Sequence, residues 1–482
     1  MAQKIIGRKL EIKELQELYH SDKPVFAVVY GRRRVGKTFL VREMFGDKLS
    51  FYHTGLSPFE LENERLKERQ LENFHTSLVR YGSRRSRAPK DWFEAFDRLI
   101  ELLEKKDPQK KQRQVVFIDE LPWMDTSRSD FITALEHFWN GWGAGQDNLM
   151  LIVCGSATSW ISDKLLNNKG GLFNRTTDEI KLRPFTLGEC EEYYKANGIV
   201  MSRYDQLQFY MATGGIPYYL SMLQRGKSLA QNIDRLFFEP NAKLYAEFDR
   251  LYSSLFSNAD DCKKIVRLLA KKRQGFTRKE IGEITKLPLG GGLSNTLKAL
   301  EVSDFIIAYT KFARSKREVY YRLSDFYTKF YISFIDGNKT SNPHFWQDNL
   351  LSPELTAWRG FSFEALCFSH LMQIKQALGI SGVQTETYPW KSKAEKDGAQ
   401  IDMVIDRADK IINICEMKFS DDDFVVTAAY DKSLRNKIST FKDETKTRKA
   451  LHLTIVTTYG LKFNEYSGRV QNLVTMDDLF KN

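Results

Sequence analysis

Gly31-Arg32-Arg33-Arg34-Val35-Gly36-Lys37-Thr38 is a complete G-x-x-x-x-G-K-[ST] loop. Gly31 and Gly36 let the backbone turn its N–H groups inward on a phosphate. Arg34 lies inside the loop, Lys37 is spaced to reach the β- and γ-phosphates, and the Thr38 hydroxyl is a magnesium ligand by type. The flanks suit the motif. Pro24 to Tyr30 is a short apolar, β-branched run, predicted to be a buried strand. Thr38 to Phe45 has helical spacing, which would set a helix N-terminus against the anion. A strand, loop and helix in this order predict nucleotide binding, with ATP and Mg²⁺ as the expected ligands.

A loop of this kind binds; hydrolysis also needs a metal carboxylate and a group that positions water. Val115-Val116-Phe117-Ile118-Asp119-Glu120 offers both at the end of a predicted buried strand. In open α/β sheets ligands gather at the carboxyl ends of the strands. Asp119 is the candidate magnesium partner and Glu120 the candidate base. A third apolar run, Leu149 to Cys154, ends in Gly155-Ser156, which places Ser156 to sense the γ-phosphate or the water.

These segments resemble the AAA+-like archaeal ATPase family, close to the STAND and origin-recognition-type NTPases. The resemblance rests on Ile6-Gly7-Arg8 with Glu11, the loop at 31–38, and Asp119-Glu120-Leu121-Pro122-Trp123. It also rests on Leu172-Phe173-Asn174-Arg175-Thr176-Thr177 before Leu182-Arg183-Pro184-Phe185, and on Gly214-Gly215-Ile216-Pro217. It covers about residues 1–240. By resemblance Arg8 lies near the adenine, and Arg175 is a γ-phosphate or finger arginine acting within one chain or across a subunit boundary. A homo-oligomer is accordingly a possible assembly.

The 482 residues are enough for roughly three domains. A hydrophobic fraction of 42% with 28% charged residues excludes a disordered chain. The net charge of +11 favours a polyanionic partner, most simply DNA. The five cysteines (Cys154, Cys190, Cys262, Cys367, Cys415) have no C-x-x-C spacing, which suits a reducing cytoplasm without disulfides or structural zinc. No membrane span or signal peptide is expected.

Residues 241–340 are predicted to form a winged helix-turn-helix domain. Residues 240–257 read as a connector. Asp260 to Lys272 is amphipathic, Thr277 to Glu280 is a capping box opening a helix to Ile284, and a turn over 287–292 leads to a helix at 294–301. Two β-rich runs, 305–309 and 319–323, flank a basic tip with Lys311, Arg314, Lys316 and Arg317. The second helix of the helix-turn-helix, at 294–301, could enter a major groove while the tip meets phosphates. A protein–protein or interdomain packing module is the competing use of the same parts.

Residues 345–482 show another α/β pattern. Phe361 to Gln376 reads as one long helix carrying Glu364. Ile401 to Asp406 and Ile411 to Lys418 read as strands around a turn at 407–410. Residues two apart on a strand share a face, so Glu416 and Lys418 point the same way. A hairpin centred near Asp409 sets Asp402 opposite Glu416. Two carboxylates and a lysine then converge, a set suited to metal-dependent phosphodiester hydrolysis. This pattern resembles the PD-(D/E)XK endonuclease superfamily. Asp402, Glu416 and Lys418 are by that resemblance catalytic, and Asp402, Glu416 and Glu364, the early helix acid, are metal-binding. The fold expected is therefore α/β throughout its two larger parts: a P-loop parallel sheet, a winged helix, and a restriction-endonuclease-like domain. Two functions remain open: an ATP-dependent enzyme acting on DNA, or a STAND-like ATPase switch whose C-terminal domain only binds.

Overall fold

The computed structural model describes residues 5–57, 65–166, 175–310, 318–337, 342–393 and 398–481. Leu172 to Asn174 and the basic tip at 311–317 lie outside them. The chain divides into two compact units, one of residues 1–184 with 251–259, the other of 185–250 with 260–482. Residues 185–240, expected with the first domain, belong to the second unit.

The first unit is built on five strands: β1 (Val25–Tyr30), β2 (Leu49–Thr54), β3 (Gln114–Asp119), β4 (Leu149–Gly155) and β5 (Asp178–Lys181). Their order is β2-β3-β4-β1-β5, and every pairing is parallel. Parallel sheets are covered on both faces, so their strands are continuous apolar runs and not alternating ones. Accordingly every residue of β3 and β4 is buried. Helices Leu66–Arg80, Trp92–Lys106 and Phe131–Gly141 supply Phe74, Trp92, Phe96, Phe131 and Phe138 to the core on one side. Helix α1 (Lys37–Phe45) follows β1 across the phosphate loop. Consecutive strands β1 and β2 are not neighbours, so the carboxyl end of β1 sits where the strand order jumps, a place that leaves a crevice for a ligand.

Residues 259–302 form three successive helices, α2 (Ala259–Ala270), α3 (Arg278–Thr285) and α4 (Gly291–Val302). A small antiparallel sheet of β6 (Phe276–Thr277), β7 (Ile306–Thr310) and β8 (Val319–Leu323), in the order β6-β8-β7, accompanies them. Thr277 and Glu280 form a reciprocal capping box at the start of α3. Helix α4 begins at Gly291, inside the stretch expected as a turn. The expected connector contains a helix, Glu247–Leu255. An aromatic helix, α5 (Phe326–Phe334), follows β8.

The remaining sheet has the order β13-β12-β11-β10-β9, with β9 (Thr385–Lys391), β10 (Gln400–Arg407), β11 (Ile411–Lys418), β12 (Ala450–Thr457) and β13 (Asn472–Thr475). β9, β10 and β11 are antiparallel, while β11, β12 and β13 are parallel. Helix α6 (Pro353–Ser369) packs on β11, and α7 (Ala428–Thr445) connects β11 to β12. The expected single helix over 361–376 is two helices, because α6 ends at His370 and a short helix, Leu371–Ala377, follows. His370 explains the break. Its Nδ1 lies 3.1 Å from the Leu366 carbonyl, and its Nε2 accepts the Leu187 N–H at 3.1 Å. Burial lowers the imidazole to about 4, so the ring stays neutral and able to accept.

Gly214-Gly215-Ile216-Pro217 has a backbone explanation. Gly214 ends the helix Arg203–Thr213 in the left-handed region, at φ 73°. At Gly215 (φ 67°) a Cβ would sit 2.4 Å from the Phe185 carbonyl, so only glycine fits, and Pro217 opens the next helical turn. All five cysteines are buried. No helix among the described residues is long and apolar enough to cross a membrane.

Candidate functional site

The loop after β1 closes around its own lysine. The Lys37 ammonium donates to the carbonyls of Gly31 (2.9 Å) and Arg32 (3.0 Å), and the residue is 95% removed from solvent, at 5% exposure. Gly31, Arg34 and Gly36 all take positive φ, at 142°, 73° and 94°. A Cβ at Gly31 would lie 2.2 Å from the Leu182 carbonyl. Arg8 reinforces the loop from outside by donating to the Val35 carbonyl at 3.0 Å while paired to Glu11 at 3.4 Å. The expected N-terminal box therefore touches the loop through Arg8; the contact found is with backbone.

Thr38 and Asp119 meet although 81 residues apart: the Thr38 hydroxyl donates to Asp119 Oδ2 at 2.7 Å. A hydroxyl and a carboxylate side by side at the loop are a hard oxygen donor set, which fits a magnesium ion by type. Asp119 Oδ1 accepts the Glu120 N–H at 2.9 Å and the Cys154 thiol. Glu120 occupies the left-handed region at φ 47°, a strained place for a glutamate. Its Oε2 accepts from Ser156 twice, from the N–H at 3.1 Å and from the hydroxyl at 3.0 Å. Burial raises the Glu120 carboxyl above its ordinary value, opposed by the nearby Lys37 charge. Ser156, expected to sense phosphate or water, holds Glu120. Arg175 is exposed, and no hydrogen bond or ion pair among the described residues brings it to this site.

The acids of the second unit come together as the hairpin register dictates. Met403 faces Cys415, so the next pair outward is Asp402 and Glu416. Asp402 Oδ2 accepts the Met417 N–H at 2.9 Å. Glu416 is 0% exposed. Its Oε2 accepts from Tyr430 (2.9 Å) and Lys437 (2.6 Å), both on α7, and lies 3.7 Å from the Lys418 ammonium. Its Oε1 is buried without a partner. Burial, followed by the Asp402 charge, raises the Glu416 carboxyl despite both lysines. Glu364 on α6 is paired to Arg273 at 3.0 Å, and burial with Asp402 pushes it to about 7.

The three acids are thus each held by different groups, and among the described residues no set of three His, Cys, Asp or Glu side chains is arranged around one metal position. The orphaned Glu416 Oε1 beside Asp402 is the feature that fits a cation. Sequence reasoning missed Cys154, Arg273, Tyr430 and Lys437. Tyr430 and Lys437 had a signal: seven apart on a helix, they share a face. Arg273 and Cys154 had none.

A parallel sheet with a phosphate loop after β1 and paired acids after β3 defines a P-loop nucleotide-binding domain. Residues 5–223 match the model of a family described as an ATPase domain predominantly from Archaea, so this part of the chain is an ATPase domain of archaeal type. An uncharacterised protein of Methanocaldococcus jannaschii is 24% identical over 430 residues, covering 86% of this chain and 88% of that one. Among solved structures, the Walker-type ATPase of Pyrococcus abyssi aligns with 68% of this chain and 96% of its own at 17% identity and a TM-score of 0.47. The ORC2 protein of Aeropyrum pernix aligns with 73% and 97% at 13% identity and a TM-score of 0.39.

Proposed function

We propose that the protein is a magnesium-dependent ATPase acting on DNA, with a metal-dependent nuclease in its C-terminal part. The observation that carries the ATPase half is the 2.7 Å hydrogen bond from Thr38 to Asp119, which joins the phosphate loop to the acidic strand end. Lys37 binds the β- and γ-phosphates, exchanging its two loop carbonyls for phosphate oxygens. Thr38 and Asp119 hold magnesium, which when bound offsets the charge on those phosphates. Glu120 takes the proton of the attacking water, and Ser156 keeps its carboxylate aimed. Arg175 acts on the γ-phosphate within the chain or from a second copy.

The DNA half rests on the hairpin acids. Asp402 and Glu416 bind a divalent cation, which would supply Lewis acidity at a phosphodiester. Lys418 orients the nucleophile or stabilises the developing charge, and Glu364 completes the acidic set. The three helices and hairpin of 241–340 form a winged helix that docks the duplex through α4. The domain boundaries of this reading are 1–240, 241–340 and 345–482, in a protein of the cytoplasm.

The test is cleavage of plasmid and branched DNA with Mg²⁺ or Mn²⁺, with and without ATP, comparing wild type with Asp402→Ala and Lys418→Ala. Cutting that both variants lose supports the nuclease. ATP hydrolysis without any cutting supports the second reading, a STAND-like switch with a non-catalytic binding module. That reading is favoured by Lys437 and Arg273, which already occupy Glu416 and Glu364.

A further inference from the structure

The second unit holds a cluster of cations that the scheme above does not use. A cavity of about 210 Å³ lies beside Glu364 and Asp402, and Lys272, Arg273, Arg322 and Lys329 all line it. Arg273 is spent on Glu364 and stacks on Phe361, 3.4 Å from the ring centre. Arg322, on β8, lies 4.0 Å over the Phe368 ring, and Lys329 is on α5. Neither Arg322 nor Lys329 is ion-paired to a carboxylate among the described residues. Glu364 is felt by both and Asp325 by Lys329, yet Asp325 is committed to capping α5 through the Thr328 N–H at 2.8 Å.

Two partly buried cations with like charge and no bonded anion are costly to keep together. Burial and the Arg322 charge lower the Lys329 ammonium to about 7, against the opposing pull of Asp325 and Glu364. The rest of the lining is mixed. Ile307, Leu323, Trp358 and Phe368 are apolar, Ser324, Ser333, Ser362 and Ser369 carry hydroxyls, Gln274 and Gln400 carry amides, and Glu364 and Asp402 bring carboxylates to one end. An apolar wall ending in two basic side chains without a bonded carboxylate suits a flat apolar body that bears a phosphate. The size is below the roughly 300–1,000 Å³ of pockets for drug-sized ligands, which limits the occupant to one small unit.

We propose that this cavity binds a single nucleoside monophosphate group, with Arg322 and Lys329 on the phosphate and the apolar wall against the base. The inference rests on the nucleic-acid reading only for the source of that group, which is the phosphorylated end of a strand or a free nucleotide.

Full-length protein carrying Lys37→Ala, which silences the phosphate loop, is titrated calorimetrically with dAMP and with deoxyadenosine. The same protein is titrated with a single-stranded oligonucleotide bearing a 5′-phosphate or a 5′-hydroxyl. dAMP is expected to bind at least tenfold more tightly than deoxyadenosine. Arg322→Gln and Lys329→Gln, added singly, should each weaken dAMP at least tenfold. Removing either cation relieves repulsion, so the melting temperature is expected to hold or rise, which separates lost binding from lost folding. Lys272→Ala, at an exposed position, gives a second and smaller loss. A 5′-phosphate preference that disappears in both glutamine variants assigns the site to strand ends; dAMP binding without that preference assigns it to free nucleotides. Absent dAMP binding, equal affinity for dAMP and deoxyadenosine, or affinity untouched by both glutamine variants overturns the proposal. A protein that binds dAMP in this way but never cuts DNA would refute the nuclease and leave the cavity site standing.

Discussion

Lys37, Glu120 and His53 have separable consequences. Lys37→Ala removes the ammonium that donates to the Gly31 and Arg32 carbonyls of the phosphate loop. ATP affinity is expected to fall at least tenfold by calorimetry, about 1.4 kcal/mol or more; unchanged affinity would contradict the placement of the nucleotide at this loop. Glu120→Gln keeps the size of the side chain and its bonds to Ser156 but removes the base. Turnover should drop by about 10²–10⁴ while ATP binding persists. His53, on β2, is 1% exposed, and burial lowers its imidazole to about 3 against an ordinary value of 6.5. Below pH 6.5 the unfolded chain takes up a proton there and the folded chain does not. The contribution of His53 is therefore complete above pH 6.5 and is lost as pH falls towards 3, at on the order of 1 kcal/mol per pH unit. Thermal melts of wild type should decline with acid over that window, and those of His53→Leu should decline less.

Among the elements, α3 offers the cleanest test, because its capping box is complete: Thr277 Oγ1 accepts the Glu280 N–H at 3.3 Å and Glu280 accepts the Thr277 N–H at 2.6 Å. Thr277→Ala should cost about 1 kcal/mol in chemical denaturation; a neutral result would mean that tertiary packing alone holds the helix. The capping box was legible in the sequence because it is local. So were β1, β3, β4 and the hairpin, since apolar runs, β-branching and a turn at 407–410 fix strand and register over short distances. The helix break at His370 was not. It depends on Leu187, which is 183 residues away and supplies the hydrogen bond that fixes the ring. The start of α4 at Gly291 ran against local propensity too, with Gly291 and Gly292 opening its first turn after the N-cap Gly290.

At the scale of the whole chain, the +11 charge predicts DNA affinity that falls steeply with salt. Binding measured from about 50 to 200 mM salt should lose affinity linearly on logarithmic axes; a flat response would argue against phosphate contacts. Lys418→Ala should leave ATP turnover intact, because Lys418 belongs to the second unit and the phosphate loop to the first.

The sequence by itself determined the phosphate loop, the acidic strand end after β3, and the face shared by Asp402, Glu416 and Lys418. These follow from spacing along one strand or across one turn, which backbone geometry converts directly into position. Only the tertiary structure decided who neutralises whom. Ser156 took Glu120, 36 residues away; Arg273 took Glu364, 91 away; Tyr430 and Lys437 took one oxygen of Glu416 and left the other alone. A buried charge must find a partner wherever packing brings one, and that choice is made by the fold as a whole and not by neighbouring residues.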